Sequence, residues 1–371
     1  MIQLLKTIVD VSDFELQNQI IFILRGGMMN SSVFICDGLN DEKKILENII
    51  IPSFRANDES LWVYSKGKTF EFSKNRNFNN PKIYSDFFPK YKNENTLIGD
   101  FKKDDNRYLQ SRKLVNEKAV WEINFTSTIL LISTQIYLVK FSENLQKLSL
   151  FSFDFHTGSP LWQYTLLEEI YDWTDGGGYE HKGEIERIIG VYKGVLWVSL
   201  NSGRLLGLSV EGGLLLYNIS QPNIYPNGYT FREENKYLWY GRHWQFDAEK
   251  GVLFGLTSCY YFELTLSNPS NTFVLYDISA SCEQYSIKAN MPVLEWSWQG
   301  DEIFFGDTDF RNQPSSVGIF NRKRKEITWT SRELGEEGVF KGVRKIDYAG
   351  GRLYVLDGQN TLHIFEREKK L

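Results

Sequence analysis

One strand pattern occurs twice in succession between residues 135 and 219, and it constrains the fold more than any other feature. Each copy contains three short apolar runs, and the last two runs are separated by a tight turn. Glycine in these turns supplies the positive φ angles that tight hairpins need. The runs are 135–141, 148–155 and 160–164 in the first copy, and 194–200, 204–208 and 213–219 in the second. This layout predicts strands of a four-stranded β-propeller blade.

The size and composition of the chain favour such a repeated architecture. With 371 residues, the chain is longer than one compact core usually serves, and repeats distribute the core among several small sheets. Hydrophobic residues make up 42% and aromatic residues 15%, so large flat side chains are available to fill the space between stacked sheets. We therefore predict a single all-β domain over 1–371.

The number of blades is predicted from a recurring triplet of an aliphatic residue, an aromatic residue and a third, usually apolar residue. Successive triplets start 40, 75, 60, 57, 50 and 50 residues apart, and a blade of four strands needs roughly 40 to 50. We interpret each triplet as the start of an inner strand, which predicts a seven-bladed β-propeller of four-stranded antiparallel blades. The triplets are 21–23, 61–63, 136–138, 196–198, 253–255, 303–305 and 353–355.

Three local features complete this prediction. The last unit has only three strands, and the apolar segment 2–8 can supply the fourth, which would close the ring and remove an exposed edge. Inserted loops are predicted near 75–107 and 166–182. Residues 41–51 are predicted to form a short helix.

Part of the repeat resembles a known family. The chain reads Leu-Phe-Ser-Phe-Asp at 150–154, Thr-Gly at 157–158 and Leu-Trp at 161–162. This resembles the PQQ-like repeat of the quinoprotein-type β-propeller superfamily, and the resemblance implies a fold, not an activity. Dehydrogenases of that family bind pyrroloquinoline quinone and calcium in the periplasm, and some carry adjacent cysteines. The first 25 residues do not have the pattern of a secretory leader and the cysteines are not adjacent, so we expect neither a leader nor a cofactor.

Charge and cysteine usage limit the expected partners. The formal net charge of −5 gives no electrostatic reason to expect nucleic acid or an anionic membrane as a partner. No uncharged apolar stretch is long enough for a membrane helix. Three widely spaced cysteines suggest reduced thiols and a cytoplasmic protein. We expect another protein as the partner and a monomer as the oligomeric state.

Side chains suited to binding or catalysis are concentrated in the loop 166–182. The four histidines lack metal-ligand spacing, so no metal is expected. The loop combines aromatic, acidic and histidine side chains, a mixture that binding surfaces favour. The competing interpretation is a loop whose aromatics cover their own blade. The partner-binding candidates are Tyr171, Asp172, Trp173, Asp175, Tyr179 and His181.

Three functional hypotheses follow. The first is a non-enzymatic, WD40-like interaction module or scaffold, with a bacterial immunity or inhibitor role as one form of it. The second is a propeller hydrolase or lyase that acts on carbohydrate through two carboxylates, which a single sequence cannot assign. The third is a lectin-like protein that binds glycans in aromatic pockets.

Overall fold

The structure is a computed structural model, and it describes most of the chain in segments. The described residues are 2–17, 20–27, 30–37, 42–49, 53–56, 60–65, 68–73, 81–103, 106–124, 129–140, 148–166, 171–174, 179–219, 244–257, 260–269, 274–287, 296–307 and 314–367.

The chain forms two compact units. The first comprises Met1–Lys90, Asp100–Lys102 and Ile278–Leu371, and the second comprises Tyr91–Gly99 and Lys103–Asp277. The single domain predicted over 1–371 stays a prediction.

The described residues form eight four-stranded sheets, which are the blades of an eight-bladed β-propeller. Blade 1 consists of β2 (Asp13–Gln17), β3 (Ile20–Gly27), β4 (Asn30–Asp37) and β5 (Glu42–Ile49), and blade 2 consists of β6 (Ser53–Ala56), β7 (Ser60–Ser65), β8 (Lys68–Ser73) and β9 (Lys82–Ser85). Blade 3 consists of β10 (Phe87–Lys92), β11 (Thr96–Lys103), β12 (Asn106–Lys113) and β13 (Ala119–Asn124), and blade 4 consists of β14 (Ile129–Ile132), β15 (Gln135–Lys140), β16 (Ser149–Asp154) and β17 (Pro160–Thr165).

Blades 5 to 8 follow the same order. Blade 5 consists of β20 (Ile185–Tyr192), β21 (Val195–Leu200), β22 (Leu205–Ser209) and β23 (Leu215–Ile219), and blade 6 consists of β24 (Gln245–Asp247), β25 (Val252–Thr257), β26 (Tyr260–Thr265) and β27 (Val274–Asp277). Blade 7 consists of β28 (Trp296–Gln299), β29 (Glu302–Gly306), β31 (Val317–Asn321) and β32 (Glu326–Thr330), and blade 8 consists of β34 (Val343–Ala349), β35 (Arg352–Asp357), β36 (Leu362–Arg367) and β1 (Ile2–Ile8). Two small sheets pair β18 (Trp173–Thr174) with β19 (Glu180–His181) and β30 (Pro314–Ser315) with β33 (Phe340–Lys341). Helical segments of the described residues include α1 (Ser279–Gln284) and a 3₁₀ segment, Ser331–Gly338.

The prediction of seven blades is wrong, because blade 3 lies inside the long spacing between two triplets. Its second strand carries Leu97, Ile98 and Gly99 where other blades have an aromatic residue in the middle. Leu97 is 36 residues after Leu61 and 39 before Ile136, which is one blade on each side. Strands β9, β10 and β11 therefore occupy much of the segment 75–107, which was predicted to be an inserted loop.

The aromatic triplets mark the same strand in each of the seven blades that contain one. Each lies in the second strand of its blade in chain order. These strands are the most buried, and the central rings of Trp62, Trp197 and Tyr354 are each 1% exposed. A strand with neighbours on both edges buries both faces, which explains its nearly continuous apolar sequence.

Blade 8 contains the N-terminal strand, as predicted. β1 pairs antiparallel with β36, from Ile2 opposite Arg367 to Ile8 opposite Leu362. The helix predicted at 41–51 is wrong, since the described residues there form β5, which pairs with β4 and places Leu46 opposite Val33. Completing the four-stranded sheet overrides the weak local helix propensity.

Neighbouring blades are joined by tryptophans of the outer strands. Trp121 of blade 3 donates from Nε1 to the Phe155 carbonyl of blade 4 (3.1 Å), and Trp162 of blade 4 donates to the Val210 carbonyl of blade 5 (2.8 Å). Each indole lies against a left-handed glycine of the same turn, Gly158 (φ 69°) or Gly213 (φ 68°). These glycines are required because a Cβ atom would lie 2.8 Å or less from the ring.

Candidate functional site

The loop that the sequence singled out folds into a small hairpin between blades 4 and 5, which we call the 171–183 hairpin. β18 and β19 pair with Trp173 opposite His181 and Thr174 opposite Glu180. The rings of Trp173 and His181 stack, with centroids 4.4 Å apart and planes at 21°. A two-residue ladder is marginal alone, so other contacts must hold the hairpin on its blade.

Asn201, in the turn between β21 and β22, makes these contacts. Its Oδ1 accepts hydrogen bonds from Trp173 Nε1 (3.2 Å) and the Glu184 backbone N–H (3.0 Å). Its Nδ2 donates to the Lys182 carbonyl at 2.8 Å. One side chain thus fixes both ends of the hairpin to blade 5.

Asp172 and Lys182 close the base of the hairpin. Lys182 Nζ lies 2.6 Å from Asp172 Oδ2, and the Gly183 N–H donates to Asp172 Oδ1 at 3.2 Å. The Lys182 hydrogen bond is the largest contribution that lowers the pKa of Asp172 below its ordinary value. The carboxylate is therefore charged at neutral pH, and both of its oxygens accept hydrogen bonds from within the hairpin.

Tyr171 faces the blade. Its hydroxyl lies 3.1 Å from that of Tyr164, and burial, helped by this hydrogen bond, raises the pKa of Tyr164. A Cβ on Gly183 would lie 2.2 Å from the Tyr171 carbonyl oxygen, so only glycine fits there. Tyr171 also belongs to the apolar core that blades 4 and 5 share.

The six predicted residues therefore divide into groups. Tyr171 and Trp173 are buried, which matches the interpretation of aromatics that cover their own blade, and Asp172 and His181 are partly buried. Tyr179 is 72% exposed, and the neighbouring Glu180 is also exposed. Asp175 lies outside the described residues.

Sequence reasoning missed Asn201 as a part of this site. The chain marks it only as the first residue of a tight turn, and turn asparagines commonly bond to nearby backbone. Its contact with Trp173 joins positions 28 residues apart, which no local pattern indicates.

The described residues contain no group of three or more His, Cys, Asp or Glu side chains placed to hold a metal ion. Among the same residues, no helix is long and apolar enough to cross a membrane.

Comparisons with known proteins support the fold. No protein-family model and no curated protein matches the sequence. Among solved structures, the chain is similar to the C-terminal WD40 domain of Sif2 (TM-score 0.57, 8% identity, covering 100% of this chain and 99% of that one). It is also similar to the Dos1 propeller (0.57, 11%, 98% and 95%) and to a quinohemoprotein alcohol dehydrogenase from Pseudomonas putida HK5 (0.51, 9%, 99% and 77%).

At these identities the similarities show the fold alone. The class of protein is a β-propeller with relatives in structure among both WD40 and quinoprotein propellers, so the predicted resemblance is confirmed at the level of the fold. A propeller of this kind is compatible with a protein-interaction module.

Proposed function

We propose that this chain is a non-enzymatic protein-interaction module that binds its partner through the exposed side of the 171–183 hairpin. The observation that carries the proposal is the 72% exposure of Tyr179 on the 171–183 hairpin. Tyrosine is enriched among the residues that dominate binding energy, because its large ring loses little conformational entropy on binding.

The contacts within the hairpin support this role. The Trp173–His181 stack and the hydrogen bonds of Asn201 hold the backbone around Tyr179 before a partner arrives. A surface that is ordered in advance loses less entropy on binding, which improves affinity without new contacts. The exposed Glu180 and partly buried His181 provide the polar rim typical of interfaces.

The proposal is tested by affinity capture from native lysate with three immobilised forms of the protein. We expect the wild type to retain a stoichiometric protein partner and Tyr179→Ser to lose it. Leu214→Ser is the matched control, since Leu214 is 70% exposed in the same compact unit but lies on blade 5 outside the hairpin. Equal recovery by all three forms would contradict the proposal, as would the absence of a partner together with turnover of a small substrate.

A further inference from the structure

The turn between the third and fourth strands has the same geometry in blades 3, 4 and 5. In each, the last residue of the third strand accepts a backbone hydrogen bond from the residue four positions later. The pairs are Glu117 N to Lys113 O (2.7 Å), Gly158 N to Asp154 O (2.9 Å) and Gly213 N to Ser209 O (2.8 Å). Lys113, Asp154 and Ser209 are therefore equivalent positions of the repeat.

Blades 4 and 5 use this position to close the turn. Asp154 Oδ1 accepts the Thr157 N–H at 2.7 Å, and Ser209 Oγ accepts the Glu211 N–H at 3.3 Å. Asn321 at the same turn of blade 7 accepts the Arg324 N–H at 2.9 Å. An oxygen acceptor at this place is the usual way for a side chain to stabilise a turn.

Blade 3 has Lys113 here, and an ammonium group cannot accept a hydrogen bond. Its turn is closed by Asn116 instead, whose Oδ1 accepts the Lys118 N–H at 3.1 Å. Among the described residues, the Lys113 ammonium forms no ion pair or hydrogen bond. A position that departs from its repeat without a structural gain is a candidate for function.

Lys113 instead lines an open groove of about 430 Å³ between blade 3 and the turn of blade 4, within the range of ligand sites. No carboxylate is present among the lining residues, which are Asn95, Thr96, Ser111, Lys113, Val115, Val120, Phe155 and His156. Lys113 is therefore the one Lys, Arg, Asp or Glu side chain among the residues that line the groove.

The walls of the groove are apolar and partly uncovered. Val115 is 92% exposed and Val120 is 47% exposed. Phe155 is buried beneath, and its ring meets that of His156 edge-on at 5.2 Å. An occupant that combines an aliphatic group with a negative charge would therefore complement both the valines and Lys113.

The backbone beside the groove favours an extended occupant. Val120 belongs to β13, the last strand of blade 3 in the sheet order, so only one of its edges is paired within the described sheet. An unpaired strand edge can add main-chain hydrogen bonds to an extended peptide.

We propose that this groove binds an extended segment of another protein in which an aspartate or glutamate stands beside an aliphatic residue, with Lys113 pairing the carboxylate. The inference rests on the proposed function only in that the occupant is a protein. It names a surface separate from the 171–183 hairpin.

The test uses random octapeptides displayed on phage through their C-termini, so that no free terminal carboxylate is offered. Selection on the wild type is expected to enrich Asp or Glu next to Val, Ile or Leu. Synthetic amidated peptides from this selection should bind Lys113→Glu about tenfold or more weakly. Val115→Ser should weaken binding about threefold through lost apolar contact.

Lys118→Glu is the matched control, since it makes the same charge change in the same turn at a residue that does not line the groove. It is expected to bind like the wild type, and circular dichroism should show both variants folded. Equal weakening by both charge reversals, or selection without acidic enrichment, would overturn the inference. Tyr179→Ser should leave peptide binding unchanged, so failure here and failure of the proposed function are distinguishable.

Discussion

Replacing Gly213 with alanine should expose the coupling between blades 4 and 5. The new Cβ would lie 2.6 Å from Trp162 Cε3 and 2.8 Å from Trp162 Cδ2, closer than real atoms approach. The indole would have to move, and its 2.8 Å hydrogen bond to the Val210 carbonyl would be lost. Alanine would also be held at φ 68°, in the left-handed region.

The magnitude follows from two separable contributions. Left-handed backbone costs a residue with a side chain about 1–2 kcal/mol. Displacing a packed ring and losing its hydrogen bond costs a further ~1–2 kcal/mol. We expect Gly213→Ala to lower the free energy of unfolding by about 2–4 kcal/mol.

Two other glycines separate these contributions. Gly194 has φ 78°, but no described residue would lie within 4 Å of an added Cβ, so Gly194→Ala should cost only the backbone strain, about 1–2 kcal/mol. Gly212 does not have a positive φ, and an added Cβ there would also meet no atom of the described part of the chain within 4 Å, so Gly212→Ala should change stability by less than about 0.5 kcal/mol.

The assay is urea unfolding monitored by tryptophan fluorescence. The free energies of unfolding are compared between variants that share the same dependence on urea concentration, the m-value. The expected order of destabilisation is Gly213→Ala, then Gly194→Ala, then Gly212→Ala. If Gly213→Ala and Gly194→Ala were equally destabilised, the packing of Trp162 on the turn would contribute nothing, and the reasoning would be refuted.

Three further predictions follow. Trp121→Phe should be about 1 kcal/mol more destabilising than Trp197→Phe in the same urea assay, because Trp121 Nε1 donates to the Phe155 carbonyl whereas Trp197 Nε1 has no hydrogen-bond partner among the described residues. Equal losses of stability would count against the inter-blade hydrogen bond. Asn201→Ala should speed amide hydrogen exchange across the 171–183 hairpin by about tenfold or more, while exchange in β21 and β22 stays unchanged. Unchanged exchange in the hairpin would contradict the anchoring role of Asn201. Hydrogen bonds from Thr157 lower the pKa of Asp154 from its ordinary 3.8. The charged carboxylate therefore contributes stability above pH 3.8, and this contribution is lost as the pH falls through the lower folded-state pKa. Asp154→Asn should lose less stability than the wild type in acid titrations, and identical titration curves for the two proteins would exclude this contribution.

Local patterns predicted most blades, because the second strand of each sheet is buried on both faces and attracts an aliphatic–aromatic triplet. Blade 3 was not predicted, because Ile98 stands at the centre of β11 where the other blades have an aromatic ring, and because polar residues surround its strands. The segment 41–51 was predicted to be helical because pairing with β4, which makes it a strand, is a tertiary contact.

The candidate site was predictable in position but not in orientation. Composition pointed to residues 171–182, and the hairpin lies there. Which aromatic rings face the blade depends on partners distant in the chain, such as Tyr164 for Tyr171 and Asn201 for Trp173. The role proposed for Lys113 rests on the equivalence of positions between blades, which is visible only when blade 3 is recognised as a repeat.

Native-state hydrogen exchange of peptides covering 96–113 tests the eight-bladed architecture most directly. These residues form β11 and β12 of blade 3, so their amides should be protected to a degree similar to those of β15 and β16 in blade 4. Exchange of the 96–113 amides to completion at the shortest labelling time, with blade 4 still protected, would show a loop in place of a blade and would contradict this structure.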